Sequence, residues 1–186
     1  PGYPLIYIGP RTQSWESVGC FLSRDAVSYF EILEGASNSD RRIWIIIHIK
    51  EHDTKYLVCA FYGPSGGDVA FYQALSDEAH LLAKAIPQLS AIMAIGDSNI
   101  HLSTCVDHDV GCRCIHCKQN KTDRDVERIL TQCGLLCCNP IGAPTHKSGT
   151  IIDIALSTHP GIFDSIYMFH QLGEYWTPTI ASWSQG

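Results

Sequence analysis

Ala91-Ile92-Met93-Ala94-Ile95-Gly96-Asp97-Ser98-Asn99 is the stretch on which the fold turns. Five successive apolar residues are too few for a helix and read as a strand buried on both faces. A carboxylate directly after such a strand is held rigidly at the edge of a sheet, and Gly96 permits a tight bend. Asp97 and Asn99 are two apart, so in extended backbone they project to the same side. One supplies a charged acceptor and the other a neutral amide, a pairing suited to activating a water and holding it in line with a phosphorus atom. The same four residues also read as a turn closed by local Asx hydrogen bonds.

Upstream, apolar residues from Val69 to Ile86 recur at three- and four-residue steps, which predicts a helix over 68–86 with Asp68 as N-cap and Pro87 as terminator. Before it, Arg42 to Lys50 and Tyr56 to Tyr62 read as two strands joined in a hairpin through the polar residues 51–55. Val18 to Leu22 reads as a short buried strand and Ala26 to Ile32 as another. Downstream, 101–120 is an irregular insert. A second helix follows, capped by Thr122, with Val126, Ile129, Leu130 and Cys133 on one face and Gly134 at its C′ position. Leu135 to Cys138 and Thr150 to Ser157 read as the last strands. Many strands with two clear helices predict one α/β domain of α+β layering over 1–186.

The 186 residues carry 19 acidic and 13 basic side chains, for a net charge of −6, and 45% are apolar. That composition is globular rather than disordered. The acidic balance excludes a protein that coats nucleic acid through bulk charge, though not an enzyme that grips a phosphodiester through a metal and a few local cations. No apolar run reaches the ~18 residues of a membrane span, so no membrane association is expected. The chain opens on Pro1 and has no basic and apolar leader, so it reads as a piece of a longer protein that is not secreted. Nine cysteines, an odd number, point to a reducing, intracellular (nuclear or cytoplasmic) compartment. Of these, Cys133, Cys137 and Cys138 lie on an apolar segment and read as core thiols.

Two further segments carry chemistry. In Pro144-Thr145-His146-Lys147-Ser148-Gly149-Thr150-Ile151-Ile152-Asp153, the side chains of Thr145, His146 and Ser148 put several donors on one loop, as a phosphate grip requires. Asp153 then falls among apolar strand residues. A buried carboxylate needs a partner: it orients a histidine, binds a metal, or accepts from loop amides. Tyr62 ends a strand ahead of Gly63-Pro64, and by itself reads as a half-buried packing tyrosine.

Taken in order, Phe61-Tyr62-Gly63-Pro64, a helix, Gly96-Asp97-Ser98-Asn99, Pro144-Thr145-His146 and Gly149-Thr150-Ile151-Ile152-Asp153 resemble the endonuclease/exonuclease/phosphatase superfamily. Within it, they look most like the endonuclease domains of non-LTR retrotransposons. The resemblance spans about residues 18 to 157. It implies a DNase I-like two-sheet β-sandwich flanked by helices, here incomplete, and phosphodiester hydrolysis dependent on Mg²⁺ or Mn²⁺. Asp97 matches the carboxylate that activates water and meets the metal, and Asn99 its companion on phosphate and water. Tyr62 matches the active-site tyrosine and Asp153 the strand aspartate. The implied partners are a DNA substrate and a downstream reverse transcriptase in the same polypeptide. Two departures stand out. No counterpart is found for the family's N-terminal asparagine and metal-binding glutamate, and neither His159 nor His170 follows an aspartate as the family's base histidine does. A catalytically incomplete remnant, or a phosphoesterase of small or lipid phosphates, are therefore the alternative functions. Ser98 stands where the family carries phenylalanine, at what reads as a packing position.

The insert holds Cys105, Cys112, Cys114 and Cys117 within thirteen residues. Four soft ligands so close can enclose a structural Zn²⁺, although the spacing is not a paired C-x2-C knuckle. Unligated thiols are the equal alternative, and disulfides the lesser one.

Overall fold

The computed structural model describes residue 18, residues 41–102, 119–139 and 152–162, and the backbone of three earlier strands. Those strands are β1 (Leu5–Ile8), β2 (Cys20–Ser23) and β3 (Phe30–Leu33). β1 and β2 form an antiparallel ladder of their own. β3 begins at Phe30, four residues after the sequence pattern starts, and pairs with β4 (Arg42–Ile49).

The run Arg42–Ile49 is rich in isoleucine, whose branched side chains suit a pleated surface. Its alternation is clean. Ile43, Ile45 and Ile47 join Val58 and Met93 in a buried cluster on one face. Trp44 turns to the other face, where Leu57, Cys59, Phe61 and the helices meet. A tight turn with Asp53 at φ 48° leads into β5 (Thr54–Tyr62), which pairs antiparallel with β4 as the predicted hairpin.

α1 (Val69–Ala85) then crosses over to β6 (Leu89–Asp97), which runs parallel to β5. Asp68 caps α1, accepting from the Ala70 N–H at 2.9 Å. Phe71, Tyr72, Leu75 and Ala79 bury one face against the sheet, each large side chain contributing about 2 kcal/mol. Val69, counted with that face from the sequence, is exposed instead. α1 is also pinned by charge. Glu78 accepts from Arg42 Nε at 3.1 Å, Arg42 Nη2 at 2.8 Å and Trp44 Nε1 at 2.8 Å.

α2 (Lys121–Gln132) packs beside α1. Its cap differs from the sequence expectation. Asn120, not Thr122, is the N-cap, and Asp123 completes a reciprocal capping box with it. The first turn starts two residues early because Asn120 is the better cap and Asp123, 2% exposed, also accepts from the His101 N–H at 3.3 Å. Gly134 follows with φ 79°, as a C′ glycine does.

β7 (Leu136–Cys137) and β8 (Asp153–Ser157) complete a mixed six-stranded sheet in the order β3-β4-β5-β6-β8-β7. The architecture is α/β: among the described residues, a mixed sheet with two helices packed on one face. Cys133 and Cys137 are half-buried and pack against the core, as read from the sequence, whereas Cys138 lies just past the edge strand β7 and outside that core. Among the described residues, Cys59, inside β5, is the fully buried thiol. Burial still pushes the Cys138 thiol up to about 11. No helix among the described residues is long and apolar enough to cross a membrane.

Candidate active site

Pairing of three strands lines up the residues that the sequence could only suggest. Tyr62 ends β5 and sits in register with Asp97, the last residue of β6. Asp97 in turn faces Asp153, the first residue of β8. Residues opposite one another in a ladder point to the same side of the sheet. By alternation Asp97 shares its side with Ile95 and Met93, and Tyr62 with Val58, so the row lies on the face away from the helices. Arg41, immediately before β4, extends the row. Its carbonyl accepts from the Tyr62 N–H at 2.9 Å, and its guanidinium lies 5.5 Å from the centre of the Tyr62 ring.

Gly96 serves a different purpose from the bend its position suggests. It lies inside β6, and a Cβ there would run into the Phe61 carbonyl of β5. Glycine lets the two strands close up at the row.

The chain turns after Asp97, not at it. The Asp97 Oδ1 accepts from the Asn99 N–H at 3.0 Å, and Asn99 has φ 50°. Strict extended alternation therefore does not place Asn99 beside Asp97, since the left-handed residue breaks it. Asparagine tolerates that conformation better than most residues. Its Nδ2 donates to the Gly63 carbonyl at 2.8 Å, tying the turn to the end of β5. The Gly63 N–H closes the tie by donating to the Asp97 carbonyl at 2.7 Å.

Ser98, between the two, is fully buried and polar, at a position read from the sequence as packing. Its N–H donates to the Ile152 carbonyl at 2.6 Å and its hydroxyl to the same oxygen at 2.8 Å. Its carbonyl accepts from the Tyr72 hydroxyl of α1. Burial first, then the negative charges of Asp97 and Asp123, push the Tyr72 phenol far above its ordinary range. Tyr72 is a neutral donor at every working pH.

Asp153 is half-buried at the start of β8, not embedded in mid-strand. Asn139 holds it from the neighbouring edge, with Nδ2 donating to the Asp153 carbonyl at 2.9 Å and Oδ1 accepting from the Ala155 N–H at 2.8 Å. This side chain extends the β7–β8 ladder where the backbone leaves it.

The structure thus brings together Tyr62, Asp97, Asn99 and Asp153. Thr145, His146 and Ser148, and the cysteines at 105, 112, 114 and 117, lie outside the described residues. His159 sits beyond the far end of β8, because Ser157 pairs with Met93 while Asp153 pairs with Asp97. The strand alone, Asp153 to Ser157, spans about 13 Å between the two. Sequence reasoning missed Arg41, Tyr72 and Asn139. Tyr72 was visible only as part of an apolar helical face, and Asn139 only as a polar residue after a short apolar run. Arg41 carried no signal.

Two carboxylates in direct cross-strand register, with an amide at the following turn, form an all-oxygen donor set. Mg²⁺ takes one or two carboxylates and fills the rest of its shell with water, so these residues fit it. No group of three His, Cys, Asp or Glu side chains suited to hold a metal occurs among the described residues.

No family model matches the sequence, and no curated protein does. Solved structures do match. The endonuclease domain of TRAS1, a telomere-specific non-LTR retrotransposon, has a TM-score of 0.58 at 12% identity, over 82% of this chain and 64% of that one. The mannosyl-6-phosphatase Bt3783 of Bacteroides thetaiotaomicron has a TM-score of 0.51 at 14% identity, over 84% and 63%. An endonuclease/exonuclease/phosphatase family protein from the same species has a TM-score of 0.51 at 13% identity, over 82% and 60%. The chain spans less than two thirds of each of these structures. At such identities the likeness is one of fold.

Proposed function

From the premise that this chain has the fold of the endonuclease/exonuclease/phosphatase proteins, we propose that it is a divalent-metal-dependent phosphodiester hydrolase, the DNA-nicking endonuclease domain of a retrotransposon-like reverse-transcriptase polyprotein. The observation that carries this reading is the row Tyr62, Asp97, Asp153 on one face at one end of three adjacent strands.

In this reading Asp97 orients and deprotonates the attacking water. Asn99, held by Gly63, leaves its amide oxygen directed away from that contact, toward water or phosphate. Tyr62 lies along the scissile phosphate, with Arg41 stacked on its ring adding a fixed positive charge to the same end of the face. Asp153 completes the carboxylate pair. Thr145, His146 and Ser148 grip the phosphate. Mg²⁺ or Mn²⁺, held by Asp97 and Asp153, would polarise the phosphoryl oxygen and stabilise the leaving oxygen. DNA is the substrate, and the reverse transcriptase follows in the same intracellular, nuclear or cytoplasmic polypeptide. Cys105, Cys112, Cys114 and Cys117 enclose a structural Zn²⁺, whose presence elemental analysis tests directly, with Cys114→Ser lowering the zinc content.

The test of function is nicking of supercoiled plasmid with Mg²⁺ against EDTA, by this chain and by the chain extended at both ends. Metal-dependent nicking by either supports the reading. No nicking by either removes it, and hydrolysis of small phosphodiesters instead would move the assignment to a phosphoesterase.

A further inference from the structure

The geometry points to Tyr72 as a positioning residue, whose hydroxyl, reaching from α1 to the turn just past the end of β6, sets the turn that carries Asp97 and Asn99. The inference rests on the phosphodiesterase reading for its kinetic consequence, and on geometry alone for its structural one.

Tyr72 has no solvent exposure, and neither has Ser98, whose carbonyl it bonds. The Ser98 N–H and hydroxyl are already committed to the Ile152 carbonyl, on the segment that leads into Asp153. Tyr72 therefore satisfies the remaining backbone group of the one residue between the two site side chains. The approach is close. A Cβ at Gly63 would strike both the Tyr72 hydroxyl and the Ser98 carbonyl, so the Gly63–Asn99 bond, the Tyr72 bond and the end of β5 pack as one unit. The ring is gripped edge-on by Phe71 and Phe61, with centroids 5.2 and 6.4 Å away. It cannot follow a wandering turn; the turn must come to it. Asn99, at φ 50°, needs such an anchor. The residue acts on water and phosphate through Asp97 and Asn99, never by contact.

The test compares wild type, Tyr72→Phe, and Val126→Ala, which trims the core under α2 without touching the turn. Plasmid nicking is read as kcat and KM, and amide hydrogen exchange is read at Ser98 and Gly63. Tyr72→Phe is expected to lower kcat about 100-fold with KM within about twofold, as a misplaced reacting group does. It is expected to speed exchange at Ser98 and Gly63 by about tenfold or more. Val126→Ala is expected to lower Tm while keeping kcat and both exchange rates. An unchanged kcat in Tyr72→Phe, or a loss seen only in KM, overturns the proposal. Should the wild type not nick at all, the phosphodiesterase reading fails by itself, and the exchange data decide the brace: selective acceleration in Tyr72→Phe supports it, and unchanged exchange overturns it.

Discussion

The two faces of the six-stranded sheet are built to different ends. The helix side carries a large continuous core in which Trp44, Leu57, Tyr72, Leu75, Leu130 and Leu156 are almost wholly buried. It is pinned further by the Arg42–Glu78–Trp44 cluster. Among the described residues, the opposite side carries the cluster Ile43, Ile45, Ile47, Val58 and Met93, and at its end the polar row Tyr62, Asp97 and Asp153. The difference teaches a division of labour. One face supplies stability and, through Tyr72, rigidity, and the other face presents the acid groups on strands that cannot shift.

The comparison makes graded predictions. The largest effect belongs to the polar end. Asp97→Ala is expected to lower nicking by about 1000-fold while circular dichroism and the unfolding midpoint stay near wild type. A cut of similar chemical size on the helix side should do the reverse. Leu57→Ala, with its side chain fully buried, is expected to cost about 3 kcal/mol in urea unfolding, with the row left in register. Glu78→Ala removes the carboxylate that Arg42 and the Trp44 N–H share. It should cost about 2 kcal/mol by the same assay, less than a deep ion pair because Glu78 keeps a third of its exposure. On the opposite face, Ile45→Ala, a truncation of the same size at a residue 3% exposed, should cost about 2 kcal/mol. A larger loss there than at Leu57 would break the contrast between the faces.

The smallest effect is electrostatic. Burial raises the Cys138 thiol from its ordinary 9.0 to about 11. A raised folded-state pKa means that stability present below about 9 is lost as pH rises toward about 11. The fall in Tm between pH 8 and pH 11 should be shallower in Cys138→Ser than in wild type.

What could be read from the sequence follows the physics of each element. Periodicity located β4, β5, both helices and β6, because each buries one face or both. The N-cap at Asp68 was plain, whereas Asn120 was hidden beside Thr122, another acceptable cap. The residue types at 62, 97, 99 and 153 were legible as candidates. Their alignment was not, because it depends on the register between strands far apart in the chain. Nor could the role of Gly96 be read, since the Phe61 carbonyl that excludes a side chain belongs to another strand. Tyr72 was hardest of all. In one dimension it is an apolar helix residue, and only the folded sheet brings its hydroxyl to Ser98.

The central claim is that Asp97 and Asp153 act as one site because the ladder sets them opposite one another. A double-mutant cycle tests it most directly, with nicking rates for Asp97→Asn, Asp153→Asn and the pair. The account predicts strong non-additivity, the double variant being no slower than the slower single one. Losses that multiply independently would contradict it, for they would mean two carboxylates that share a sheet edge but not a reaction.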